Sequence, residues 1–271
     1  YQWPGSNHGI TIDHKGNVWI GGNGQGDGMV LKFTQDGKFL MQVGKKGVPI
    51  DSNSQEHFGM VAKISSDKKE TEAYISDGYG NKRVVVLDAD TGKFKRYWGA
   101  YGNKPDDTNL GRYTPDAPPA QQFRTPVHCA EMSVDRFVYV CDRVNDRIQV
   151  FTPDGKFVKE SWVSKRTLGD GSTWDIAFSN DPQQKFIYLA DGKDEKVWIL
   201  DRQSLEILTS FGDGGKMPGQ FYAVHSIATD SKGNIYTTET YRGQRVQKFN
   251  FRGVAPVVKR EQGVVWPKAS R

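Results

Sequence analysis

Long hydrophobic runs are missing from this sequence of 271 residues, and charge of one sign is nowhere concentrated. The longest apolar run covers residues 84–87, whereas a membrane helix needs roughly 18 consecutive apolar residues, so no membrane span is expected. The 37 basic and 32 acidic residues are mixed along the chain without a basic block, so nucleic acid is not expected as a partner. The chain starts at Tyr1 without a charged and apolar leader, which predicts a chain that was processed, trimmed or expressed as a fragment.

Cysteine is scarce: only Cys129 and Cys141 occur, too few for a scaffold built from disulfides. They flank a predicted hairpin turn centred on Asp135. Partners across such a hairpin can form one disulfide in an oxidising compartment. Two reduced thiols in the core are the alternative, and the sequence leaves both open.

What the chain does contain favours an all-β fold. Its 30 glycines, 12 prolines and 12% aromatic residues are typical of many short strands joined by turns. A unit made of an inner strand, an aromatic second strand, an acidic end and a third strand opened by a basic residue recurs about every 50 residues. The second strands of this unit are predicted at residues 17–20, 73–77, 138–142, 187–191 and 235–239.

Each unit cannot bury both faces of its sheet alone, so neighbouring units must stack, and radial stacking gives a β-propeller. The sequence therefore predicts a single propeller domain over residues 1–271. Its blades are expected at residues 8–44, 60–99, 127–163, 173–212 and 224–258. These residues resemble the NHL-repeat family from about Gly9 to Phe249.

Histidine recurs at one position of the repeat. Counting back five residues from the end of each inner strand reaches His8, Ala62, His128, Trp174 and His225. The inner strands line the channel of a propeller, and alternate blades of a six-bladed ring stand about 120° apart. We therefore expect His8, His128 and His225 to bind a transition metal, with zinc first and copper or iron as alternatives. Channel-lining histidines bonded to backbone and water are the other interpretation, and His14 and His57 are expected in surface or loop positions.

Several motifs are similar to those of the peptidyl-α-hydroxyglycine amidating lyases. They lie at residues 8–13, 76–83, 127–128, 142–149 and 224–227. The resemblance implies a six-bladed all-β propeller with a zinc ion on His8, His128 and His225. It also implies that Tyr79 acts on a substrate hydroxyl and that Arg143 faces the same pocket, so we predict Tyr79 and Arg143 as catalytic residues. A metal can acidify a nearby hydroxyl, and a guanidinium can hold a carboxylate or carbonyl; a loop aromatic and an ion-paired arginine are the alternatives.

The resemblance has limits. Gly80 stands where the lyases have a cysteine, so their disulfide is not expected here. Ser226 stands where they have an acidic ligand of a structural calcium ion, which argues against that ion. The lyases place a further blade before the first histidine, and only seven residues precede His8. We therefore predict that five blades are visible in this chain and that the N-terminal blade is missing.

The segment 120–129 is more similar to bacterial NHL propellers of no assigned activity than to the lyases. A bacterial, secreted or periplasmic protein is expected. The inserted loop 100–124, anchored by Tyr101, Leu110, Tyr113 and Phe123, could contact a protein partner. Two functions remain open: a metal-dependent enzyme, lyase-like or hydrolytic, that takes a small-molecule or peptide-like ligand at the axial pocket, and a non-catalytic scaffold for protein or glycan partners.

Overall fold

The computed structural model describes residues 1–67, 69 and 71–257. The chain separates into two compact units, Tyr1–Leu168 and Gly169–Arg271. Antiparallel β-sheets and short 3-10 turns make up the regular structure of the described residues. No helix among them is long and apolar enough to cross a membrane.

The first unit contains three sheets of four strands, each a simple antiparallel meander. The strands of the first sheet are β1 (Asn7–Ile12), β2 (Val18–Gly22), β3 (Met29–Phe33) and β4 (Phe39–Gly44). Those of the second are β5 (Val61–Asp67), β6 (Glu72–Asp77), β7 (Arg83–Asp88) and β8 (Phe94–Trp98). Those of the third are β9 (Val127–Met132), β10 (Val138–Asp142), β11 (Arg147–Phe151) and β12 (Phe157–Trp162).

The second unit contains a sheet of four strands and a sheet of three. The four-stranded sheet is made of β13 (Asp175–Phe178), β14 (Phe186–Asp191), β15 (Lys196–Asp201) and β16 (Ile207–Phe211). The three-stranded sheet is made of β17 (Val224–Thr229), β18 (Ile235–Glu239) and β19 (Val246–Phe249). Both are antiparallel meanders like those of the first unit.

Within each unit the first strands of neighbouring sheets meet. Strand β5 packs against both β1 and β9, and β13 packs against β17. The first strands are thus the inner strands, as the repeat predicts for propeller blades. An all-β propeller built from blade-like sheets is confirmed.

The predicted number of blades was wrong. The described residues form five sheets, so the chain is not a six-bladed propeller that lacks one blade. The fifth sheet has three strands, because the chain after Phe249 runs without strand structure through residue 257. Residue 258, the predicted end of that blade, lies outside the described residues. The assignment of residues 1–271 to a single domain stays a prediction.

Burial on both faces explains the apolar third strands. In β7, Val84 and Val86 pack into a cluster with residues of the third sheet, including Phe151. Val85 and Leu87 face the other way, into a cluster shared with the first sheet. Since side chains of a strand alternate between faces, a run of four apolar residues is what a strand between two neighbours requires.

The acidic and basic residues of the repeat form buried ion pairs. Asp77 at the end of β6 accepts a hydrogen bond of 2.8 Å from Nε of Arg83, which opens β7. Asp142 and Arg147 repeat this pair in the third sheet, also at 2.8 Å. A buried charge needs a partner and hydrogen bonds to be tolerated. These pairs therefore tie the turn between the second and third strands of the second and third sheets.

The inserted loop 100–124 contains one 3-10 turn, Ala100–Gly102, and is held to the third sheet. The hydroxyl of Tyr101 donates to Glu160, and that of Tyr113 donates to the carbonyl of Lys165. Phe123 is fully buried. The aromatic anchors were therefore expected correctly, while the protein partner of this loop stays a prediction.

Candidate metal centre

His8 lies near the start of β1, next to a bulge. The pairing of β1 with β2 shifts between His8 and Ile10, and Gly9 between them has a φ of 69°, in the left-handed region that favours glycine. Nδ1 of His8 lies 2.6 Å from the carbonyl oxygen of Ala62. A carbonyl only accepts, so Nδ1 donates the proton of this hydrogen bond, and in that tautomer Nε2 carries the lone pair. This is the form in which imidazole binds a metal.

His128 occupies the equivalent strand of the third sheet. It is the bulge residue of β9, because Val127 pairs with Asp142 and Cys129 with Cys141. Its side chain is buried. The rings of His8 and His128 lie edge to face with centroids 5.4 Å apart, and each offers a ligand nitrogen within 4.8 Å of the other's.

Tyr79 reaches both histidines from the loop after β6. Its hydroxyl oxygen is 3.2 Å from Nε2 of His8 and 3.0 Å from Nε2 of His128. Both distances are within hydrogen-bonding range. The first unit thus brings together three predicted site residues from three different sheet segments.

The loop that carries Tyr79 is fixed by Asp77. The Asp77 carboxylate accepts hydrogen bonds from the Gly59 amide at 2.7 Å, the Asn81 side chain at 2.7 Å and Arg83. The Tyr79 amide donates to the carbonyl oxygen of Met60 at 3.0 Å, which binds the loop to the preceding segment.

Glycine on either side of Tyr79 permits close contacts. A Cβ atom at Gly78 would lie 2.0 Å from the carbonyl oxygen of Val127, the residue before His128. A Cβ atom at Gly80 would lie 2.3 Å from Cδ1 of Ile50. It would also lie 2.9 Å from the carbonyl oxygen of Gly59, so a side chain at position 80 would require its neighbours to shift.

Arg143 lies over the ring of Tyr79. It begins the 3-10 turn Arg143–Asn145 directly after β10 and is buried. The centre of its guanidinium is 5.9 Å from the centroid of the Tyr79 ring, a cation–π distance. Burial raises the pKa of the preceding Asp142 above its ordinary value, although hydrogen bonds from Asn145 and Arg147 act in the opposite direction.

His225 belongs to the second unit. It lies at the bulge between Val224 and Ser226 in β17, the position that matches His128 in β9. Its Nδ1 is 3.2 Å from the Ser226 hydroxyl, and its ring packs edge-on against Trp174 with centroids 5.5 Å apart. His8 and His128 in the first unit and His225 in the second each offer one ring nitrogen as a potential metal ligand. Their assignment as ligands stays a prediction.

The remaining sequence-based predictions have direct outcomes. His57 lies in the loop between β4 and β5, bonded to Ser54, and His14 lies in the turn after β1. Cys129 and Cys141 form a disulfide with Cα atoms 4.8 Å apart, which decides between the two alternatives. The bridge joins β9 and β10 beside His128.

Sequence reasoning missed the residues that position the site. Ala62 occupies the histidine register of the second sheet, and its carbonyl rather than its side chain orients His8. Asp77 and Gly78 stand in the motif that contains Tyr79, but their role depends on contacts with Gly59 and Val127. In the sequence, only the position of Asp77 and Gly78 in the motif at residues 76–83 pointed to them.

Comparisons with known proteins match this chain to amidating enzymes. The peptidylglycine alpha-amidating monooxygenase of Rattus norvegicus is 26% identical over 280 residues, covering 96% of this chain and 26% of the relative. A probable peptidyl-alpha-hydroxyglycine alpha-amidating lyase of Caenorhabditis elegans is 29% identical over 146 residues, covering 54% of this chain and 36% of the relative. The chain is thus a distant homologue of these enzymes and spans about a quarter to a third of their length.

A solved structure supports the fold. Virginiamycin B lyase from Staphylococcus aureus superimposes with a TM-score of 0.56 at 14% identity, covering 92% of this chain and 71% of that one. At this identity the likeness shows the propeller fold alone. No family model matches the chain, so membership of the NHL-repeat family stays a prediction.

Proposed function

We propose that this chain is a metal-dependent lyase, in which His8, His128 and His225 bind one transition metal ion and Tyr79 and Arg143 act on the substrate. Zinc is the proposed metal, with copper and iron as alternatives, since imidazole ligands suit all three. A small-molecule or peptide-like compound with an α-hydroxylated amide is the proposed substrate class, in line with the printed name of the Caenorhabditis elegans relative.

The observation that carries the proposal is the position of the Tyr79 hydroxyl between two imidazole nitrogens. It lies 3.2 Å from Nε2 of His8 and 3.0 Å from Nε2 of His128. The hydrogen bond between Nδ1 of His8 and the Ala62 carbonyl directs Nε2 of His8 toward the Tyr79 hydroxyl. Such an outer hydrogen bond orients metal-binding imidazoles in proteins.

The inclusion of His225 rests on its register. His128 and His225 are both bulge residues of first strands, and His8 lies next to the bulge of its strand. Bulges redirect side chains and are common beside functional sites. The described residues form five sheets, so the three histidines do not stand on alternate blades of a six-bladed ring.

A bound ion of this kind would supply positive charge that favours the deprotonated form of a nearby hydroxyl. The proton transfer and the positioning of the substrate are assigned to residues of the chain. In the proposed cleavage the Tyr79 oxygen accepts the proton of the substrate's α-hydroxyl, whose C–O bond becomes a carbonyl. The bond between the α-carbon and the amide nitrogen breaks with its electron pair going to nitrogen, which takes up a proton. An amide and an α-oxo acid are released.

Arg143 is proposed to hold the substrate's carboxylate. A guanidinium forms two parallel hydrogen bonds with a carboxylate. Its position against the Tyr79 ring would orient the α-carbon toward the tyrosine hydroxyl.

The proposed location is secreted or periplasmic, in a bacterium. The Cys129–Cys141 disulfide supports an oxidising compartment. It joins two fully buried sulfur-bearing side chains.

Metal content tests the proposal. The protein is purified without added metal and analysed by elemental mass spectrometry, and about one equivalent of a transition metal is expected. His128→Ala should lose most of it, and His225→Ala should do the same. His57→Ala is the matched control, since His57 lies in a loop and should leave the metal content unchanged.

Activity is tested separately, by release of glyoxylate from an N-acyl α-hydroxyglycine. A protein with no bound metal, or one whose metal survives His128→Ala, would overturn the metal site. Full metal content without glyoxylate release would overturn the lyase activity and favour the scaffold function.

A further inference from the structure

A cavity lies in the first unit, under the inserted loop 100–124. Its volume is about 170 Å³. Residues 110, 112–115 and 117–120 form one wall, and Trp162, which ends β12, and Lys165 form another. Arg124, Asn145 and Arg147 also line it. The cavity shares no lining residue with the histidine site described above.

The charge of this cavity is one-sided. Four cationic side chains line it, Arg112, Arg124, Arg147 and Lys165, and no acidic residue does so within the described part of the chain. Such a concentration favours an anion in a cleft with low-dielectric walls.

Among the residues that the structure describes, carboxylates balance only one of the four cations. Arg147 donates to Asp142 at 2.8 Å and to Glu160 at 3.3 Å. Arg124 instead donates to the Asn145 side chain at 2.8 Å and to the carbonyl oxygens of residues 110–112. Burial lowers the pKa of Arg124, as expected where the charged form lacks full compensation.

The two remaining cations stand where the cavity meets solvent. Arg112 and Lys165 are both exposed. The ammonium of Lys165 lies 5.0 Å from the ring centroid of Trp162. Tyr113 anchors its loop through a hydrogen bond of 2.9 Å to the Lys165 carbonyl, which does not involve the lysine side chain. Both cations are therefore free to turn toward a ligand without loosening the wall.

The walls between these charges are flat and apolar. They include Trp162 and Tyr113, together with Pro115, Pro118 and Pro119. A bare phosphate would use the charge but not these walls. We propose that this cavity binds a small organic carboxylate with a flat apolar body, such as an aromatic acid, with the carboxylate between Arg112 and Lys165 and the ring against Trp162. This site needs no metal and does not depend on the lyase proposal.

The test uses benzoate as the probe, titrated into the full chain by calorimetry at low salt. A Kd of about 1 mM is expected for so small a ligand, rising with ionic strength. The double variant Arg112→Ala with Lys165→Ala should weaken binding about tenfold. The matched control, Lys38→Ala with Arg252→Ala, removes two exposed cations elsewhere and should leave the Kd unchanged.

Two further probes complete the test. Benzamide, which has the same ring without the charge, should not bind, and inorganic phosphate should bind at least tenfold more weakly than benzoate. Equal binding of benzamide, tighter binding of phosphate, an unchanged Kd in the Arg112 and Lys165 variant, or no binding of benzoate would each overturn the proposal. Metal content and glyoxylate release, measured on the same double variant, should stay at the wild-type level.

Discussion

The hydroxyl oxygen of Tyr79 lies 3.0 Å from Nε2 of His128, so the loop after β6 in the second sheet reaches the first strand of the third sheet. Two residues 49 positions apart in the chain share a hydrogen bond because neighbouring sheets pack their inner strands together. The centre is therefore a property of the contact between sheets and not of one repeat.

The first prediction concerns the proton carried by Tyr79. Tyr79→Phe keeps the ring and removes the hydroxyl that lies between the two imidazoles. Turnover of an N-acyl α-hydroxyglycine should fall about 100-fold to 10,000-fold, the usual contribution of a positioned acid or base. Metal content should stay unchanged. Tyr241→Phe, at an exposed tyrosine, is the control, and activity retained in Tyr79→Phe would remove the tyrosine from the mechanism.

The second prediction concerns Arg143. Arg143→Ala should raise KM for a substrate with a carboxylate about tenfold or more and should change kcat less, because the guanidinium is proposed to bind and orient. Arg143→Lys should recover only part of the effect, since an ammonium cannot form the same paired hydrogen bonds. A fall in kcat with KM unchanged would contradict a binding role.

The third prediction concerns the disulfide beside His128. Cys129 and Cys141 close a short loop, with a sequence separation of 12 residues. Replacing both by alanine should lower the free energy of unfolding by about 3 kcal/mol, because the unfolded chain regains the entropy of an open loop. Urea unfolding of the double variant measures this, with the oxidised wild type as reference. A difference below about 1 kcal/mol would show that the bridge contributes little to stability.

The fourth prediction concerns pH. Glu72 is buried and accepts hydrogen bonds from Arg96 at 2.8 and 2.6 Å and a further one from Tyr74. Burial alone raises the pKa of Glu72, but the bonds from Arg96 and Lys95 outweigh it and lower the pKa to about 2. Because the folded pKa lies below the unfolded one, the stabilisation is complete above about pH 4.5 and is lost as the pH falls toward 2.

The expected size of this effect is about 2–3 kcal/mol. Thermal unfolding should show the melting temperature of the wild type falling steeply between pH 4.5 and 2. Glu72→Gln should flatten that fall, whereas Glu206→Gln, at an exposed glutamate, should not. An equally steep fall in Glu72→Gln would assign the acid sensitivity to other groups.

Much of the fold followed from local patterns. Strand alternation, the Asp and Gly turns and the acid–base pairs of the repeat predicted five antiparallel units, and each was found. These features depend on neighbours in the chain, such as Asp77 and Arg83, which pair across one turn. The count of six blades was wrong because it rested on a resemblance and on the placing of histidine in alternate repeats, and not on a sixth repeat present in the chain.

The residues of the centre were named from their register, but their arrangement was decided by packing. No local pattern could reveal that the Ala62 carbonyl holds His8, that Gly78 must lack a side chain beside Val127, or that Tyr79 would lie between two histidines. The position of a residue within the repeat can be read from the sequence, because each unit folds through contacts between residues that are close in the chain. Distances between units arise only when the inner strands pack, because that burial of apolar surface brings distant segments together.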